Sequence, residues 1–117
     1  MALPSFDVEL ALREPVRLSI DELDQLKYSF LVEDRSENGW GFVLRAKKNN
    51  GQTLKEILEA LVKMYEPFEA CIAQCKPVLR VAAFSSNATC TVWLDEVSFF
   101  AKIGASLEVS IYPVDHD

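Results

Sequence analysis

Apolar and polar positions alternate through residues 6–12, where Phe6, Val8, Leu10 and Leu12 are interleaved with Asp7, Glu9 and Ala11. This period predicts a strand with one buried face. Ser19 stands three residues before Glu22, the spacing of a capping box, and Ile20, Leu23 and Leu26 follow at helical intervals. A short helix to about residue 28 is predicted. A brief apolar run at 30–32 then meets the turn-forming stretch 33–39. The pattern resumes at 40–46 with Trp40, Phe42, Leu44 and Ala46 on one face, predicting a loose-looped hairpin closed by Asn49, Asn50 and Gly51. Thr53 and Glu56 repeat the capping box ahead of Leu54, Ile57, Leu58, Leu61, Met64, Tyr65, Phe68, Ile72 and Cys75, the longest helical pattern in the chain. Pro67 lies inside it and predicts a kink or a restart, while Pro77 ends it. Residues 78–84 and 89–94 read as a second hairpin joined through Ser85, Ser86, Asn87 and Ala88. Asp95 is placed to cap a third, short helix carrying Val97, Phe100 and Ile103, with Gly104 as its left-handed C-terminal cap. A last strand spans 105–112, where Leu107, Val109 and Ile111 alternate with Glu108, Ser110 and Tyr112 before Pro113.

This order predicts an α+β fold: a mostly antiparallel sheet of about six strands, with one long Pro-kinked helix and two short helices on one face. No stretch is long enough to be a linker, so residues 1–117 are expected to form a single domain. Phe42, Leu44, Leu79, Val81, Cys90, Val92, Leu107, Val109 and Ile111 are then expected to face the helices. Val43, Arg45, Arg80, Phe84, Thr91, Trp93, Glu108 and Tyr112 point away, on a sheet face that mixes arginine with aromatic residues.

Composition narrows the function classes. The 117 residues are 50% hydrophobic and 26% charged, enough for one core. No apolar run approaches the ~20 residues of a membrane-spanning helix, and residues 1–7 lack the pattern of a secretory signal, so a cytoplasmic protein away from membranes is expected. A net charge of −6 opposes binding to nucleic-acid phosphates. The three cysteines, Cys71, Cys75 and Cys90, are an odd number and read as reduced; Cys71 and Cys75 share a helix face, where buried apolar roles outweigh metal binding.

Catalytic chemistry finds little support. The single histidine, His116, is next to last, which excludes a histidine-based triad in practice. Gly39-Trp40-Gly41 enters a strand instead of leaving one, unlike a phosphate loop. The carboxylate pairs Asp34/Glu37 and Asp95/Glu96 are explained by solvation and by helix capping. No enzyme, metal or cofactor is expected.

Charge distribution is more informative. Residues 1–37 hold nine acids (Asp7, Glu9, Glu14, Asp21, Glu22, Asp24, Glu33, Asp34 and Glu37) against four bases, while the remainder holds nine against eight. Concentrated on the first helix and the first hairpin loop, these acids would steer a basic protein. The residues expected to bind a partner are Asp21, Glu22, Asp24, Glu33, Asp34 and Glu37, joined by Trp93 and Tyr112 on the open sheet face. The leading expectation is a non-enzymatic acidic interaction module, in its most specific form an immunity-type inhibitor of a basic bacterial toxin. The alternatives are a small-molecule-binding or hydrolytic domain with a pocket between the long helix and the sheet, and a homodimeric structural domain.

From Trp40 to Tyr112 the chain resembles a family of small bacterial domains of unknown function. The residues that carry the resemblance are Trp40, Leu58-Glu59-Ala60-Leu61, Glu66-Pro67, and Ile103-Gly104-Ala105-Ser106-Leu107 with Ile111-Tyr112. The first 39 residues depart from it: Gln25 to Val32 stand where that family has a Leu-Gly-x-x-Pro-Thr turn. The resemblance implies a fold and a bacterial setting, and no activity.

Overall fold

The computed structural model describes residues 4–48, 53–86, 92, 94 and 97–114. Five strands form one sheet: β1 (Ser5–Leu12), β2 (Leu31–Arg35), β3 (Gly41–Arg45), β4 (Pro77–Ser85) and β5 (Ser106–Pro113), in the order β2-β3-β1-β4-β5. β1 is central and antiparallel to both neighbours, with Leu10 opposite Leu44 on one side and Leu79 on the other. β2 and β3 form the first hairpin. The helices are α1 (Ile20–Ser29), α2 (Leu54–Tyr65), α3 (Glu69–Ala73) and α4 (Val97–Lys102). The α+β class and the mostly antiparallel sheet agree with the sequence reading.

Three features differ from the sequence-based expectation. The strand paired after β4 is β5, and it runs parallel, so the connection between them, which includes α4, is a crossover and not a hairpin turn. The expected second hairpin arm at 89–94 falls largely outside the described residues; Val92 and Leu94 are not in a strand, and their side chains pack on the main core. The described sheet therefore has five strands. The first hairpin also keeps Glu33, Asp34 and Arg35 within β2, leaving the 3-10 turn Ser36–Asn38 with Gly39 and Trp40 as its connection.

Local chemistry sets the helix boundaries. Ser19 Oγ accepts from the Glu22 amide at 3.1 Å while the Ser19 amide donates to Glu22 Oε1 at 2.8 Å, the reciprocal capping box expected for α1. Thr53 Oγ1 accepts from the Glu56 amide at the start of α2. Pro67 sits in the 3-10 turn Glu66–Phe68, which breaks the long helical pattern into α2 and α3. Gly104 follows α4 with φ +70°, the left-handed cap the sequence calls for.

The helices cover one sheet face. Val8, Leu10, Leu12, Leu44, Leu79 and Val81 meet Leu26, Phe30, Leu58, Leu61, Tyr65 and Phe100 there. Tyr65 is stacked on Phe30 at 5.1 Å between ring centres and edge-on to Phe100 at 6.3 Å. Its hydroxyl is buried with no hydrogen-bond partner among the described residues, and burial pushes the phenol well above its ordinary pKa. An unpartnered buried hydroxyl opposes folding, so Tyr65→Phe is expected to raise stability by about 1 kcal/mol, read as a melting midpoint a few degrees higher.

Candidate interaction surfaces

The sheet face away from the helices carries a continuous ion-pair network. Alternation along β1 puts Asp7 and Glu9 on this face, and the antiparallel register sets Glu9 directly opposite Arg80 of β4. The Glu9 side chain is only 12% exposed and accepts from three arginines. Its Oε1 takes Arg80 Nη1 at 2.9 Å and Arg35 Nη1 at 3.1 Å, and its Oε2 takes Arg45 Nη1 at 3.5 Å. Each guanidinium holds a second carboxylate: Arg35 with Glu33 at 2.9 Å, Arg45 with Asp7 at 2.5 Å, Arg80 with Glu108 at 3.1 Å. Arg80 also lies over the Trp40 ring at 4.0 Å. Beside the network Phe84 and Tyr112 stack at 5.3 Å, and together these groups line a shallow cavity of about 270 Å³. Salt-bridged partners raise the Arg35 and Arg45 pKa values, with Glu33 and Asp7 the respective leading causes. The four carboxylates are thus held by three guanidiniums, an arrangement that ties all five strands together and engages each of these carboxylates with an arginine.

Trp40 reaches this face by a route that simple alternation misses. It was expected to share the helix side with Phe42 and Leu44, yet it packs on Ala11, Val43 and Val78. Gly41 adopts φ +71°, which breaks the alternation between residues 40 and 42 and turns the indole over.

The structure places the acids of residues 1–37 on separate parts of the surface. Glu33 and Tyr112 are on the open face, at opposite sides of the sheet, and Glu33 is paired with Arg35, which lowers its pKa. Asp34 points to the other side and accepts from the Ser36 amide at 2.9 Å; its lowered pKa comes from its hydrogen bonds with Ser36. Glu37 is exposed in the hairpin turn. Glu14 lies between Lys76 at 3.0 Å and Arg17 at 2.8 Å, and these bonds lower its pKa, Lys76 foremost. Glu22 is occupied by its cap. Trp93 lies outside the described residues.

Asp21 and Asp24 remain exposed on α1 with no ion pair among the described residues. They flank a ridge that the sequence reading did not isolate. Ile20 and Tyr28 are 80% and 85% exposed, and with Asp24 they form an i, i+4, i+8 row. The core contact of α1 is made instead by Leu26 and by its C-terminal cap Phe30. Ile20 stands about a quarter turn away from that direction, which is the signal in the sequence that could have separated it from the buried face.

A second cavity, about 290 Å³, opens between α2 and the end of the sheet. Phe6, Val8, Ile57 and Leu61 form its apolar part, with Arg45, Lys47 and Lys48 also lining it. Arg45 is committed to Asp7 and Glu9, and Lys47 Nζ donates to the Tyr28 carbonyl at 2.5 Å, so two of these three cations are already engaged. The Cys71 and Cys75 thiols are buried and donate to the Phe68 and Cys71 carbonyls at 3.3 Å. Burial pushes Cys75 up to about 11, so both are poor nucleophiles at neutral pH. Among the described residues no cluster of histidine, cysteine, aspartate or glutamate is placed to hold a metal ion, and no helix is long and apolar enough to cross a membrane.

No family model, curated protein or solved structure matches the chain.

Proposed function

We propose that this protein is a non-enzymatic interaction module that takes a basic protein partner on the α1 ridge. The observation that carries the reading is the row Ile20, Asp24 and Tyr28: two large apolar side chains held out in solvent with a carboxylate between them that has no ion pair among the described residues, and Asp21 alongside. Exposed apolar residues at helical spacing are the anchors by which a surface helix fills a partner's groove, and the flanking carboxylates favour a cationic rim around that groove. Net charge adds long-range attraction, so association gains speed from steering while tightness comes from the two anchors. Inhibition of a basic bacterial toxin domain by occlusion is the specific role this surface would fill, because a cationic active-site rim complements it directly.

The test is capture of basic proteins from the native cell by the full chain, followed by binding measurements on the protein recovered. Reversal of both charges, Asp21→Lys with Asp24→Lys, is expected to weaken binding at least about tenfold and to remove most of its salt dependence. Tyr28→Ala is expected to speed dissociation with little change in association rate. Undiminished binding by the charge-reversed chain, or a recovered partner that is itself acidic, overturns the reading.

A further inference from the structure

The two edges of the sheet are built differently. β2 is five residues long, carries Glu33, Asp34 and Arg35, and ends in a tight turn, features that discourage another strand from adding to it. β5 is eight residues long, and its one charged residue, Glu108, is already held by Arg80. On the helix side of β5, Leu107, Val109 and Ile111 are 50%, 40% and 53% exposed, whereas their partners on β4, Leu79, Val81 and Ala83, are buried. The helix layer covers the sheet as far as β4 and stops short of β5. The outer edge of β5 has no strand partner among the described residues.

We infer that β5 pairs antiparallel with β5 of a second copy about a two-fold axis at Val109, joining two five-stranded sheets into one. The strand is self-complementary in that register. Leu107 faces Ile111 of the other copy, Val109 faces its own counterpart, and the three aliphatics of each copy form one continuous row. On the opposite face Glu108 meets Ser110, so no like charges stand across the ladder. An axis one residue earlier sets Glu108 against itself, and an axis one residue later brings Pro113, which has no amide hydrogen, into the ladder. The exposed row, with half-exposed Tyr112 and Val114 beside it, offers roughly half of the ~800 Å² per partner of a standard interface. The dimer is therefore weak, forming between micromolar and millimolar concentration. Two copies of a chain with charge −6 also repel, so added salt tightens it, the opposite of the response expected for a basic partner on α1.

Sedimentation equilibrium of the full chain tests this. The mass is expected to rise toward that of a dimer with concentration, and more readily at higher salt. Val109→Lys is expected to hold the chain monomeric, whereas Leu31→Lys at the half-exposed start of the other edge strand leaves association unchanged. Circular dichroism establishes that each variant is folded. Should Val109→Lys not fold, cysteine cross-linking decides, in a chain with Cys90→Ser so that the native thiols left are the buried Cys71 and Cys75. Val109→Cys is expected to cross-link with itself, and Leu107→Cys and Ile111→Cys only when the two variants are mixed. A monomer at millimolar concentration, a folded Val109→Lys chain that still dimerises, or self-cross-linking of Leu107→Cys overturns the inference.

Discussion

Glu9→Ala will lower the stability of the fold by about 2–4 kcal/mol, a large effect for one side chain on the outer face of a sheet. Three guanidiniums share this carboxylate, and its removal leaves Arg35, Arg45 and Arg80 with one outlying carboxylate each and loses the anion at their centre that offsets their mutual repulsion. The arginine side chains are 22–34% exposed, so water relieves part of the repulsion, which keeps the expected loss below that of a fully enclosed ion pair. Glu9→Gln keeps the volume and one acceptor oxygen and should fall between alanine and the native chain. Urea titrations of the three proteins check this; an alanine variant within about 0.5 kcal/mol of native would show that the network contributes only solubility.

Gly41→Ala is expected to cost about 3–5 kcal/mol. Two penalties act together at this position. The backbone is left-handed at φ +71°, and an added Cβ would overlap the Leu12 carbonyl oxygen and press on Pro15 Cδ at 3.0 Å. Gly39 separates the two, because it has φ +80° but nothing within 4 Å of a Cβ. Gly39→Ala is therefore expected to lose only the conformational part, about 1–2 kcal/mol. Equal shifts in the unfolding midpoints of the two variants would sink the claim that close approach of β1 to β3 demands glycine at residue 41.

Much of this architecture is legible in the chain because burial imposes a period. β1, the Ser19–Glu22 capping box, the Thr53 cap of α2, the Pro67 break and the Gly104 cap follow from residue type and spacing, and so does the division of Arg45, Arg80, Glu108 and Tyr112 from the helix-facing residues of their strands. What escapes is set by contacts distant in sequence or by single dihedral angles. Alternation in β5 is the same whether its neighbour runs parallel or antiparallel, so the pairing with β4 is invisible locally. The inversion of Trp40 depends on one left-handed residue. Glu33 and Arg35 look like loop residues until the arginines of β3 and β4 are brought across from them. The count of acids along residues 1–37 suggests one acidic patch, but Glu9 finds Arg80 71 positions away, and Glu14 finds Lys76. The surface of α1 is partly visible as Asp21 and Asp24; the exposure of Ile20 and Tyr28 on either side of Asp24 requires knowing which way the helix lies.

The central place of β1 also fixes the order in which the molecule can assemble. As the polypeptide emerges from the ribosome, its first strand has nothing to lie against until the β2–β3 hairpin has formed, and its second neighbour, β4, is made only after the whole of α2 and α3. Until then one side of that strand stays open and Glu9 lacks its Arg80 counterion, so this is a topology of distant closures, slow to fold and most vulnerable to misassociation while incomplete.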